Sequence, residues 1–168
     1  MFIRSLFAVA MTALIMIGSM SAAAGREHPR TLLHQGERFL AMGKYQAAIA
    51  RYSKVIDCCE GTIEAAEAHN DLGVIHARQG NMDLAIQEYE AALQRTPYPL
   101  AHFNLGKALA DRFSATGGEE VRKRALFHLE TFQTYLVQAR DLPPIVTWQQ
   151  VEIEIFLKSA IENLSGSE

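Results

Sequence analysis

Residues 66–97, AEAHNDLGVIHARQGNMDLAIQEYEAALQRTP, constrain the fold more than any other part of the chain. Leu72, Ile75 and His76 fall on one side of a first segment at helical spacing, and Ala85, Tyr89, Ala92 and Leu93 do so on a second. Gly80-Asn81 breaks the pattern between them. Pro97 ends the second segment, because it lacks an N–H and disfavours helical geometry just before it. The spacing predicts two short helices folded back on each other. Gly73 and Ala85 are small where two backbones must approach, while Leu72, Tyr89 and Leu93 supply bulk.

This stretch resembles a tetratricopeptide repeat, whose pattern is Trp-x2-Leu-Gly-x2-Tyr, then Ala-x3-Phe, then Pro. Leu72-Gly73, Ala85, Tyr89, Ala92 and Pro97 match it, with His69 at the Trp position and His76 at the Tyr position. A looser copy precedes it. Leu32, Gly36 and Phe39 take the Trp, Gly and Tyr positions, Gly43 makes the turn, and Ala48, Tyr52, Val55 and Ile56 line the second helix. Gln35 departs from the usual Leu, and no Pro closes that unit. A third copy opens at Leu100 and carries Leu105-Gly106, with its Ala at Ala125 followed by Leu129 and Phe132. The resemblance implies an all-α fold, a right-handed superhelical stack of about three helix-turn-helix repeats (about 29–61, 62–97 and 99–140) with a C-terminal capping helix.

Two spacings depart from the family period of about 34 residues. Ala48 to Ala85 is 37 positions, which fits a longer loop or an early helix start at Thr62, a good N-cap with Glu64 in the first turn. Gly106 to Ala125 is 19 positions against 12 from Gly73 to Ala85. The extra residues predict a flexible loop at Ser114-Ala115-Thr116-Gly117-Gly118, with a helix from about Glu119 to Arg140 after it. Asp141-Leu142-Pro143-Pro144 then interrupts the chain. Thr147-x-x-Gln150 forms a capping box for a last helix over 147–164. That helix carries Trp148, Val151, Ile153, Ile155, Phe156, Leu157, Ile161 and Leu164, apolar over most of its circumference. Such a helix caps the stack, or caps it and offers a docking patch as well.

Residues 1–24 read as a secretory signal peptide: Arg4, an apolar stretch from Ser5 to Met20, and the small-residue site Ala22-Ala23-Ala24. The alternative is an uncleaved inner-membrane anchor over residues 5–24, since about 20 apolar residues span a bilayer. The expected setting is export to the periplasm, with membrane attachment only if the segment stays uncleaved. A secreted chain meets an oxidising compartment. Cys58 and Cys59 are adjacent, so their Cα atoms lie about 3.8 Å apart, closer than the usual disulfide range of about 4.4–6.8 Å. A bridge between them would be strained and labile. The plainer alternative is two thiols at a helix end, one packed inward.

Formal net charge is −3, and the chain lacks the clustered Lys/Arg footprint of nucleic-acid binding. Arg122-Lys123-Arg124 sits beside Glu119 and Glu120 and reads as a solvated helix face. His69 and His76 are seven residues apart, too far for metal chelation from neighbouring turns, and read as semi-buried. His28, His34, His102 and His128 form no sequence cluster. With no nucleophile motif, phosphate loop or metal spacing, neither an enzyme nor a cofactor is expected. In the family resembled, the first helix of each repeat lines a concave groove. Carried over, the groove residues are Arg30, Leu33, Glu37 and Leu40; Glu67, Asn70, Val74 and Arg78; and Leu100, Phe103, Lys107 and Asp111. The expected function is a periplasmic adaptor or scaffold that holds a partner peptide or helix there and helps assemble a larger complex. Two alternatives stay open: a redox- or metal-responsive protein using Cys58 and Cys59, and a self-associating homo-oligomer.

Overall fold

The computed structural model describes residues 27–94, 96–138 and 150–166. Among these residues there are seven helices and no strand: α1 (Pro29–Ala41), α2 (Tyr45–Cys59), α3 (Ile63–Arg78), α4 (Met82–Leu93), α5 (Pro99–Thr116), α6 (Glu119–Gln138) and α7 (Gln150–Ser165). The proposed signal peptide, and Thr147 and Trp148 of the proposed capping box, lie outside the described residues. Helices α1–α2, α3–α4 and α5–α6 form three hairpins. Gly43, Gly80 and Gly117 turn them with φ of 70°, 79° and 71°, where a Cβ would be strained. The second helix of each hairpin packs on the first helix of the next. In addition α1 touches α3, and α3 touches α5, so the three first helices share one face of the stack.

One device seats each hairpin. In the first two, a glycine on the first helix faces a tyrosine ring on the second. A Cβ on Gly36 would stand 2.8 Å from Tyr52 Cζ, and one on Gly73 2.6 Å from Tyr89 Cδ1. In the third hairpin a leucine takes the tyrosine's place, with a Gly106 Cβ falling 2.8 Å from Leu129 Cγ and 3.1 Å from its backbone nitrogen. Ala48, Ala85 and Ala125, one turn before these bulky residues, are fully buried at the same crossing. One core joins hairpins one and two through Leu33, Tyr52, Val55, Ala68 and Ile75. A larger one joins hairpins two and three to α7 through Leu105, Leu109, Leu129, Phe132, Ile153 and Leu157.

The early start of the second repeat is visible at Thr62. Its hydroxyl donates to the Cys59 carbonyl at 2.7 Å and accepts from the Ala65 N–H at 3.2 Å, capping α3. The loop expected over 114–118 is a correction. Ser114, Ala115 and Thr116 are helical, and only Gly117-Gly118 turns. Ser114 and Thr116 donate back to the Ala110 and Arg112 carbonyls, which satisfies their hydroxyls inside the helix. The extra residues therefore lengthen the third hairpin: α5 and α6 have 18 and 20 residues, against 16 and 12 in α3 and α4.

Helix α7 buries Ile153, Leu157 and Leu164 against the third hairpin and leaves Val151 and Ile155 exposed. Arg122 corrects the reading of a solvated basic run. It is 9% exposed, donates to both Glu119 carboxylate oxygens at 2.7 and 2.8 Å, and donates to the Leu164 carbonyl at 2.8 Å. It thus satisfies a terminal carbonyl of α7 from the start of α6. Arg124 pairs with Glu90 of α4. Arg122→Met is expected to cost about 1.5–3 kcal/mol, the range for a hydrogen bond to a charged group. Amide exchange over residues 157–165 should rise more than exchange in α3.

Candidate partner-binding groove

The face shared by α1, α3 and α5 holds a cavity of about 420 Å³. Asn70, Asp71 and Val74 of α3 line it, with Leu100, Phe103, Asn104 and Lys107 of α5. Its far wall is α7, through Glu152, Ile153 and Phe156. Five residues carried over from the family positions therefore meet in one place: Asn70, Val74, Leu100, Phe103 and Lys107. Asp71, Asn104 and the α7 residues were not foreseen. Asp71 and Asn104 sit beside foreseen positions, and the arrival of α7 depends on a tertiary contact with no local signal.

The remaining candidates go elsewhere. Leu33 is a correction: it is 0% exposed and belongs to the core of the first two hairpins. Leu40 is half-buried against the same core. Asp111 lines a neighbouring cavity between α5 and α7, with Phe113, Phe156 and Asn163. Arg78 is exposed at the end of α3. Arg30 ties α1 to α3 through Glu67 at 2.6 Å and Glu64 at 3.3 Å, and Glu37 pairs with His34 at 3.0 Å. Phe103 has a structural duty besides lining the cavity. Its ring lies 5.0 Å from Phe132 and 5.6 Å from Phe156, so it also seats α7.

A polar chain crosses the cavity floor. Asn104 Nδ2 donates to Asn70 Oδ1 at 2.9 Å, and Asn70 Nδ2 donates to Asp71 Oδ1 at 3.3 Å. Asn70 is only 1% exposed, so the Asn104 bond meets the need of a buried amide. The enclosed Tyr52 hydroxyl lies in the field of Asp71 without a partner at normal hydrogen-bond geometry. Burial pushes the Asp71 carboxyl up from 3.8 to about 7, against the pull of Tyr52. Burial also raises Glu67, against the pull of Arg30.

The Asp71 shift has a stability consequence. A raised folded-state pKa means that the native protein holds this proton where the unfolded chain releases it. Stability from this group is complete below about pH 4 and is lost as pH rises through about 7. Asp71→Asn carries no such titration. The melting temperature of the wild type relative to this variant should fall between pH 5 and pH 8, a trend that thermal melts at a series of pH values would measure.

Two further groupings lie off this face. His102 Nδ1 and His128 Nδ1 stand 2.9 Å apart across the third hairpin, beside Phe127 and Tyr135. Burial lowers both, and it takes His128 to about 4 with help from His102 and Arg124. The pair is therefore neutral at pH 7, with one ring donating to the other. Twenty-six residues separate these histidines, so only the folded hairpin brings them together. His69 and His76 are half-buried; His69 bonds Glu88 of α4 at 2.8 Å, and the buried His76 Nδ1 has no partner. At the end of α2 the sulfurs of Cys58 and Cys59 are bonded to each other, which replaces the expectation of two free thiols. Among the described residues, no group of three or more His, Cys, Asp or Glu is placed to hold a metal ion, and no helix is long and apolar enough to cross a membrane.

No curated protein matches the chain. Stacked helical repeats offer extended surfaces to other proteins, and proteins with repeats of the tetratricopeptide kind are typically non-catalytic adaptors. The tetratricopeptide repeat family model matches residues 33–99, from Leu33 in α1 to Pro99 at the head of α5.

Proposed function

We propose that this chain is a non-catalytic adaptor of the bacterial cell envelope that holds a segment of a partner protein in the groove between α3, α5 and α7. The observation that carries this reading is the cavity itself. It sets apolar Val74, Leu100, Phe103 and Phe156 beside the polar groups of Asn70, Asp71, Asn104 and Lys107 on the face shared by the first helices. Few polar groups on an apolar surface suit a peptide anchored by its side chains and oriented by hydrogen bonds. The envelope setting rests on the signal-like residues 1–24 and their small-residue cleavage site.

A photo-crosslinking residue at position 74 tests the groove, with position 84 on α4 as the control; Leu84 is 45% exposed. Irradiation in the native host should give adducts from position 74 and none from 84. Adducts from 84 alone would contradict the reading. Val74→Glu with Lys107→Glu should abolish capture while leaving Phe103 to seat α7.

The Cys58–Cys59 bridge favours a second reading, a redox-responsive protein. Thiol titration should show two thiols only after treatment with a dithiol reductant. Partner capture that is the same in both states would remove this reading.

A further inference from the structure

We propose that His102 and His128 form an open binding site for a divalent zinc ion, held across the third hairpin. The site lies off the groove and stands or falls independently of the groove reading.

The two imidazoles come from inside α5 and α6 and meet beside a close approach of the two helices. Gly106, one turn after His102, lies against Leu129, the neighbour of His128, where a Cβ would stand 3.1 Å from the Leu129 backbone nitrogen. Both nitrogens are thus carried on rigid elements, as a ligand set requires. The other hairpins show that these positions need no imidazole. Counted from the glycine of the first helix and the alanine of the second, the matching residues are Leu32 and Arg51 in the first hairpin, and His69 and Glu88 in the second. His69 and Glu88 make an ordinary hydrogen bond at 2.8 Å. Of the three hairpins, the third alone sets two imidazole nitrogens against each other, with the Nδ1 atoms 2.9 Å apart.

The spacing of the rings suits a tetrahedral ion. Their centres lie 5.1 Å apart. A zinc ion about 2.0–2.1 Å from each nitrogen sits about 3.2 Å from each ring centre, and two such arms across this gap meet at about 106°. Reaching that geometry from the hydrogen-bonded pair takes a pivot of about 35° by each ring, which the broad χ2 preference of histidine allows. In the pair as it stands, one Nδ1 carries the shared proton. On zinc entry that ring passes to its Nε2–H tautomer by exchange with water, so both Nδ1 lone pairs bond the ion and both rings stay neutral. Imidazole selects zinc, copper and nickel over magnesium and calcium. The rings of Phe127 and Tyr135, 6.4 and 6.2 Å from that of His102, give the nitrogens an apolar surround. Both histidines are half-buried, so an ion reaches them from solvent. Among the described residues no group of three or more ligands forms, so water fills the remaining positions and the ion is exchangeable rather than structural.

Calorimetric titration of zinc chloride into the full mature chain tests the site. Zinc should bind at one ion per chain with a dissociation constant in the micromolar range, and magnesium should give no heat of binding. His102→Gln and His128→Gln should each weaken zinc at least about tenfold, since even the loss of an outer-shell partner costs that much. His34→Gln and His69→Gln, at the histidines that bond Glu37 and Glu88, should leave the affinity unchanged. Zinc at about a hundredfold excess over its dissociation constant should raise the melting temperature by about 5 °C. Nitrogen-15 spectra of the wild type cover the case of a variant that fails to fold. Zinc should move the Nδ1 signals of His102 and His128 and leave those of the four other histidines in place. Full zinc affinity in the His102→Gln, His128→Gln double variant would overturn the proposal. So would Nδ1 signals of this pair that stay still at saturating zinc, or binding lost with His34 or His69 instead.

Discussion

Phe132→Ala is expected to lower the unfolding free energy by about 3–5 kcal/mol, the cost of emptying a fully buried aromatic site. Phe132 is 0% exposed and sits where α5, α6 and α7 converge, in one cluster with Leu105, Leu129, Ile153 and Leu157. Its ring supports Phe103, which in turn supports Phe156 of α7. The truncation therefore removes contacts within the third hairpin and loosens the seat of the capping helix. Since α7 forms the far wall of the cavity, partner capture should weaken along with stability. For a chain of this size the melting temperature moves about 2–4 °C per kcal/mol. Phe127→Ala on the same helix is the control, because Phe127 is 59% exposed and should fall within about 0.5 kcal/mol of the wild type. Equal effects from the two would mean that α7 is not seated as described.

Gly73→Val should cost about 3 kcal/mol, the upper part of the usual range for overpacking. A Cβ alone would stand 2.6 Å from Tyr89 Cδ1, and the ring cannot retreat because Tyr89 is only 4% exposed. Valine would ordinarily be a better helix residue than glycine, so a loss of stability isolates the steric term. In a Tyr89→Ala background the ring is gone, and the same Gly73→Val change should cost far less. Denaturant titrations of the four proteins in this cycle give the coupling directly. A cost that is unchanged without the ring would mean that Gly73 serves another purpose.

These two variants also show what the sequence made legible. Gly73, Ala85 and Tyr89 recur at fixed spacing because every hairpin solves one packing problem, and that recurrence is readable without coordinates. Gly36 with Tyr52 could be found in the same way even though Gln35 breaks the motif. The third hairpin was harder. Its extra residues include serine, threonine and two glycines, a composition that favours a loop, but the hydroxyls bond back to helix carbonyls and α5 continues to Thr116. Arg122 departs from a solvated position for a similar reason. Local charge made it look solvated, and a carbonyl at the far end of α7 drew it inward. Of the stripe positions on α3 and α5, Asn70, Val74, Leu100, Phe103 and Lys107 meet at one cavity, while Glu67, Arg78 and Asp111 do not. On α1 the stripe fails at Leu33, which is enclosed in a core shared with residues of α2 and α3. Nothing local announced that His102 would meet His128, or that α7 would wall the cavity.

The central claim is that a partner docks on the face made by the first helices. Hydrogen–deuterium exchange of the mature chain with and without its cross-linked partner tests it most directly. The account predicts added protection in residues 70–78 of α3 and 100–107 of α5, with α2 and α4 unchanged. Protection confined to α2 and α4, with α3 and α5 unaltered, would contradict it.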